Sequence, residues 1–237
     1  MANCKKCGQS LVGQYCSNCG TPATLKRIDK SYIISEISSV LNLDKGILYT
    51  IKQLLLSPGN AVKKFISEDR NRLVKPILFI LITSLIYSVL VQILHFEDAY
   101  VHYNEKQKST TFVIFKWVQS NYGYSNLIMG IFIAAWIKLL FKKYTYNFYE
   151  ILILLCFVMG IGMLFLAFFG AVQSITQLKV LDYGGMLFFL YIVWAIGQFF
   201  NPKKWTSYAK ATLAYMLGLF TFTVGILLIG KLIDLLK

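Results

Sequence analysis

Charged side chains are scarce in this 237-residue chain, where Asp, Glu, Lys and Arg together make up 15% against roughly 25% in soluble domains. That shortage excludes an ordinary water-soluble globular domain. Histidine is nearly absent: only His95 and His102 occur, and neither fits HExxH or a related zincin spacing. Also missing are a nucleophile–base pair, a phosphate-cradling glycine loop, a Ser-His-Asp set and a repeat of known recognition type. With no catalytic constellation, the chain reads as a non-enzyme. Acids number 11 against 24 Lys and Arg, a net charge of +13, and such a basic balance suits either nucleic acid or an anionic membrane surface.

Hydropathy decides between them. Five windows hold no Asp, Glu, Lys or Arg: Pro76 to Phe96, Trp117 to Ile137, Ile151 to Leu178, Tyr183 to Pro202, and Ala211 to Gly230. Crossing a hydrocarbon core of about 30 Å takes roughly 20 apolar residues in a helix, because lipid leaves no backbone polar group a water partner. All five windows reach that length. The fold class expected is therefore an all-α polytopic membrane protein with five transmembrane helices, over 76–96, 124–141, 148–172, 183–200 and 209–232. The remaining sequence is too short to cover five apolar helices in a soluble protein, and the first apolar run lies too far along the chain for a cleaved leader. Residues 111–122 either lie along the outer interface, anchored by Trp117 and Tyr122, or open the second membrane helix.

Orientation follows from Lys and Arg, which are enriched in cytoplasmic loops. With the N-terminus inside, eighteen of the twenty-four fall on the inner side, whereas the acids divide nearly evenly. The expectation is a multi-pass protein of a bacterial inner membrane, N-terminus cytoplasmic and C-terminus outside.

Four of the five cysteines occur as Cys4-Lys-Lys-Cys7-Gly8 and Cys16-Ser-Asn-Cys19-Gly20. Each CxxC turn aims two thiolates at one tetrahedral ion, and the following glycine lets the tight turn direct backbone N–H groups toward sulfur. So short a segment cannot bury a core of its own, so a structural zinc on Cys4, Cys7, Cys16 and Cys19 is expected to hold a ribbon over residues 1–25. Two disulfides are the competing reading, and a cytoplasmic location disfavours them. Only Lys5, Lys6 and Tyr15 offer basic or stacking groups in this segment, which argues against nucleic acid as the partner and for a cytosolic protein. Four thiolates also leave no open position for a catalytic water.

Residues 26–75 read as amphipathic membrane-surface helices. Ile33, Ile37, Val40, Leu41, Ile47, Leu48, Ile51, Leu54 and Leu55 form a helical stripe, interrupted near Asp44 and Gly46. A further helix starts at Ser57-Pro58, as cap and first-turn proline, with Ala61, Val62, Phe65 and Ile66 on one face. Lys63, Lys64, Arg70, Arg72 and Lys75 then form a basic collar before the membrane domain of 76–237, suited to anionic lipid headgroups or a partner.

Cys4 to Cys19, Arg27-Ile28, Asp44-Lys45-Gly46, Ser57-Pro58-Gly59 and Lys75-Pro76 together resemble an uncharacterised bacterial membrane family, a domain of unknown function behind a zinc ribbon. Asn147-Phe148-Tyr149-Glu150 is similar to its later signature. The match covers about the first 95 residues, with Glu68-Asp69-Arg70 standing where the family's Gly-Lys-Arg is expected and Ile151 where a His is expected. The resemblance implies an architecture and no activity.

Within the membrane segments every charge lies near a helix end, unlike the buried carboxylates of ion-coupled pumps. Asn147 and Glu150 have capping-box spacing. Gln92, Gln173 and Gln198 are candidates for interhelical bonds, and Gly160, Gly162, Ala167, Gly170, Gly218 and Gly225 for close helix approach. His95 and His102 with Glu97, Asp98 and Glu105 read as a polar outer loop rather than a metal site. The function expected is a membrane scaffold or adaptor with a cytosolic zinc-ribbon module; the alternatives are a lipid or small-solute permease and, after it, a membrane enzyme.

Overall fold

In the computed structural model the described residues are 4, 7–10, 13–14, 16–20, 46–96 and 110–236. The stripe upstream of Gly46, the Asp44-Lys45 pair and the His102 loop lie outside them. The chain divides into two compact units, Met1–Leu43 and Asp44–Lys237.

The secondary-structure elements of the larger unit are, among its described residues, all helices: α1 (Ile47–Leu56), α2 (Pro58–Ser67), α3 (Pro76–Leu94), α4 (Thr110–Ser120), α5 (Tyr122–Leu140), α6 (Phe148–Thr176), α7 (Leu181–Phe200) and α8 (Trp205–Leu235). Four of these, α3, α6, α7 and α8, are long and apolar enough to cross a membrane. The second window departs from a simple span. Its charge-free run is divided at Asn121 between α4 and α5, and the apolar stretch Tyr124–Leu140 is shorter than the other four. At the break, the Asn121 side chain donates to the Trp117 carbonyl at 3.0 Å and the Ser125 hydroxyl to the Val118 carbonyl at 3.0 Å. Polar side chains thus take over carbonyls that a continuous helix would pair with its own N–H groups.

The bundle is apolar on its outside as well as its inside. On α3, Phe79, Ile80 and Tyr87 are buried, yet Ile77, Leu81, Leu85, Val89 and Ile93 form an i, i+4 stripe of exposed side chains. A helix facing water on that side would carry charge there. The most deeply buried of the four spans is α6. It contributes Leu154, Phe157, Val158 and Met159 to a core shared with Leu54 of α1, Val62 and Phe65 of α2, and Ile192 of α7. Phe65 meets Phe157 edge to face at 5.3 Å, so α1 and α2 are packed parts of this unit. Leu48, Leu55 and Leu56 of α1 stay exposed.

Aromatic rings seat on glycines along α6. A Cβ on Gly160 would meet the Phe79 ring 2.7 Å away, and one on Gly162 or Gly170 would overlap Phe188 or Phe96. Gly218 of α8 likewise faces the α5 backbone, with Ile133 Cα 2.8 Å from where its Cβ would stand. Gly225 differs from the close approach expected of it: nothing lies within 4 Å.

The spans alternate in direction, and cross-contacts sort their ends into two sets. At one end the Lys210 ammonium donates to the Leu140 carbonyl at 3.1 Å, and the Tyr146 ring lies 4.5 Å from Phe199. At the other, the Ser174 hydroxyl donates to the Leu94 carbonyl at 3.0 Å, and Thr110 meets Asp234. Lys138, Lys142, Lys143, Lys203, Lys204 and Lys210 belong to the first end, where α2 also packs; Lys179 and Lys231 belong to the second.

Several helix starts are capped by side chains from other helices. Ser57 makes no side-chain cap, contrary to the expectation from its place before Pro58. The N–H of Gly59 is taken by Gln198 Oε1 of α7 at 2.8 Å. Gln173 Oε1 of α6 accepts from Val180 and Leu181 at the start of α7, 3.1 Å each. Asp234 of α8 accepts the Thr110 N–H at 3.1 Å and its hydroxyl at the start of α4. Among the helices whose N-cap residue is described, α6 alone is capped by that residue's side chain, in the full Asn147–Glu150 capping box.

Two glycines of α8 give opposite expectations. Gly218→Ala should destabilise the bundle by about 1–3 kcal/mol through overpacking against backbone. Gly225→Ala should be neutral or stabilise by up to about 1 kcal/mol through helix propensity. Thermal unfolding of each variant in gentle detergent checks the contrast.

Candidate metal centre

The smaller unit's two turns are built alike. The Gly8 N–H donates to the Cys4 carbonyl and the Gly20 N–H to the Cys16 carbonyl, both at 2.9 Å. The glycines have φ of 75° and 68°, a left-handed region that costs a Cβ-bearing residue roughly 1–2 kcal/mol. A further bond, Cys4 N–H to the Gln9 carbonyl at 2.8 Å, closes the first turn.

These turns bring all four sequence-predicted thiols together. Cys4 Sγ lies 3.6 Å from Cys19 Sγ, and Cys7 Sγ lies 3.5 Å from Cys16 Sγ. All four Sγ atoms fall within 4.8 Å of one another. Metal–sulfur bonds of about 2.3 Å would set the sulfurs of a tetrahedral site roughly 3.8 Å apart, whereas a disulfide needs about 2.05 Å. The arrangement therefore fits an ion and not two S–S bonds. Cys4 and Cys16 are buried and Cys7 is exposed. A backbone N–H at Gln9 pulls the Cys7 thiol's pKa down, but hydrogen bonds to Cys16, Cys19 and Cys4, together with desolvation, push it up to about 11 overall. Four thiols so close cannot all ionise without a cation among them, and the donor set accordingly fits a metal ion. Among the described residues of this unit no strand is found, only an isolated bridge at Ser10.

The basic collar is not a uniform patch. Lys64, Arg70 and Lys75 are exposed, while Lys63 and Arg72 are half-buried. Lys63 Nζ stands 6.0 Å from the centre of the Phe199 ring, and desolvation lowers its pKa from the ordinary lysine value. An unforeseen feature at the same end is an aromatic cluster of Phe141, Tyr144, Tyr146, Phe199 and Phe200, in which Phe141 stacks on Phe200 at 3.9 Å. Lys138 donates to the Tyr146 carbonyl at 2.6 Å, and Lys210 lies 5.8 Å from the Phe141 ring centre. Its sequence signal was the interleaving of aromatics and lysines in residues 138–149 and 199–205, the composition of an interfacial belt. Of the two histidines, His95 is described. It ends α3 in a left-handed conformation, its N–H donating to Val91 at 2.8 Å. The Cys tetrad is the one metal-capable grouping among the described residues.

Residues 44–88 match the family described as Protein of unknown function (DUF3667). No curated protein and no solved structure matches the chain. The DUF3667 match spans α1, α2 and most of α3, downstream of the cysteine turns. Its buried polar contacts tie this stretch to itself and to the bundle. Thr50 Oγ1 accepts the Val74 N–H at 3.1 Å, and the Tyr191 hydroxyl of α7 donates to the Leu54 carbonyl at 3.0 Å.

Metal entry must displace thiol protons, so affinity should fall as the pH is lowered. Weakly buffered titration of the reduced protein with a divalent metal at pH 7 should release protons with an endpoint at one ion per chain. Cys16→Ser should lose both signals; an endpoint unaffected by that change would remove the tetrad as the site.

Proposed function

We propose that this protein is a bacterial inner-membrane scaffold or adaptor. It spans the membrane five times, with α5 as the second crossing. A cytosolic zinc ribbon and a basic collar form its interaction module. The observation that carries this reading is the convergence of Cys4, Cys7, Cys16 and Cys19 within 4.8 Å. A divalent ion held there would have its four positions filled by protein and none left for water, as in structural zinc sites. Zinc's preference for four thiolates in tetrahedral geometry favours it over the harder cations.

Membrane insertion is supported by the exposed apolar stripe of α3 and by four helices long and apolar enough to cross a bilayer. The side on which Lys and Arg gather argues for orientation. Residues upstream of Pro76, the Lys138–Lys143 turn and the Lys203–Lys210 turn would then face the cytosol. Buried polar groups such as Thr83, Ser84, Asn126 and Gln173 are all neutral, which disfavours ion-coupled transport and leaves passive solute or lipid passage as the second reading.

Two contacts are separable. A protein partner held by the ribbon should be captured by the full-length protein in gentle detergent and lost on Cys16→Ser or on deletion of residues 1–25. A preference for anionic lipid through the collar should survive those changes. Neutralising Lys64, Arg70, Arg72 and Lys75 should weaken it by a few kcal/mol, at about 1 kcal/mol each, with salt screening the remainder. If every captured protein persisted after deletion of 1–25, the adaptor role would be lost and the bundle itself would be the functional part.

A further inference from the structure

We propose that the trough between α7 and α8 binds one anionic phospholipid, with an acyl chain along the trough and the phosphate at Lys203 and Lys204. The proposal rests on the reading of the bundle as membrane-spanning and adds a specific lipid site outside the collar. The trough has a volume of about 570 Å³, lined by Val193 of α7 and by Trp205, Tyr208, Ala209, Thr212, Leu213 and Met216 of α8. That falls within the roughly 300–1,000 Å³ of small-ligand sites.

Its shape follows from local packing. Gly197 of α7 lets the Tyr208 ring lie where a Cβ would meet ring carbon Cγ at 2.9 Å. The Tyr208 hydroxyl is turned toward the helix start, donating to the Pro202 carbonyl at 3.1 Å. The small side chain of Ala209 sits among larger neighbours and leaves the hollow open.

The chemistry of the lining selects the ligand. The one aliphatic hydroxyl, on Thr212, is already donated to the Tyr208 carbonyl at 3.1 Å, so the wall is suited to hydrocarbon and not to a polar solute. From Trp205 to Met216 the trough follows eleven helical steps, about 16 Å at 1.5 Å each. That is close to half of a hydrocarbon core of about 30 Å, the depth of one leaflet. At its mouth Lys203 and Lys204 are exposed, and Trp205 beside them is 80% exposed. An apolar slot one leaflet deep, opening under two cationic heads and an interfacial Trp, is complementary to a phospholipid bearing net negative charge. A second copy paired symmetrically through this face would instead set the lysines of the two chains against each other.

Full-length protein reconstituted in phosphatidylcholine vesicles provides the test, with brominated phosphatidylglycerol or brominated phosphatidylcholine as quencher. The Trp205 signal is the difference between the wild type and Trp205→Phe. Phosphatidylglycerol should quench Trp205 at a lower mole fraction than phosphatidylcholine, by roughly fivefold for each lysine. Lys203→Gln with Lys204→Gln should abolish the preference, and the paired Arg variants should keep it. Ala209→Leu, which fills the trough while leaving both lysines, should also reduce it. Equal quenching by the two lipids, or a preference unchanged by the paired Gln variants, would overturn the site. A preference surviving Ala209→Leu would overturn the acyl-chain trough and leave only headgroup attraction. Vesicle flotation separates the two levels: protein that fails to float contradicts the membrane reading itself, whereas floating protein without lipid preference contradicts this site alone.

Discussion

Backbone N–H groups at a helix start have no partner within the helix and must find one elsewhere. The architecture answers that constraint with side chains borrowed across the bundle. Gln198 of α7 receives Gly59 of α2, Gln173 of α6 receives the start of α7, and Asp234 of α8 receives the start of α4. Each bond fixes a start and, at the same time, a helix–helix relation. The α2 cap shows the coupling most directly, because a Cβ on Gly59 would meet Gln198 Cβ at 2.9 Å. The same close approach that excludes a side chain brings the Gln198 amide oxygen within reach.

These pairings explain which parts of the fold were legible in the sequence. Helical character was readable from charge-free windows, because in lipid a long apolar run has one way to satisfy its own backbone. The capping box at Asn147 and Glu150 was readable because both partners lie within one turn. Gln198 and Gly59 are 139 residues apart, and Thr110 and Asp234 are 124 apart. No local pattern connects them, so Ser57 looked like a cap when its role passes to Gln198. The split of the second window was half legible: the sequence left residues 111–122 either apart from the second membrane helix or within it, and the break lies at Asn121, where the Asn121 and Ser125 side chains take up carbonyls of the preceding turn. Gly225 resembled Gly218 in sequence but faces open space, since spacing alone does not say which side of α8 meets α5.

The cysteine site was legible for the opposite reason. Its geometry is set by two local turns, each closed by a glycine N–H on the first cysteine's carbonyl, and only their mutual approach is long-range. The basic residues were visible as a count but not as an arrangement. Lys138 and Lys210 spend their ammonium groups on carbonyls of residues 146 and 140, while Lys63 is drawn over Phe199. Lys64, Arg70, Lys75, Lys142, Lys143, Lys203 and Lys204 are exposed at the same end.

The central claim is that the basic end of a membrane-spanning bundle faces the cytosol together with the cysteine module. Impermeant-maleimide labelling of right-side-out membrane vesicles tests it most directly, using Lys143→Cys at the basic end and Lys179→Cys at the opposite end in a Cys156→Ala background. The account predicts labelling of residue 179, with residue 143 and the N-terminal cysteines reacting only after the vesicles are permeabilised. Labelling of 143 with protection of 179 in sealed vesicles would reverse the orientation, and equal labelling of both would contradict the membrane-spanning bundle.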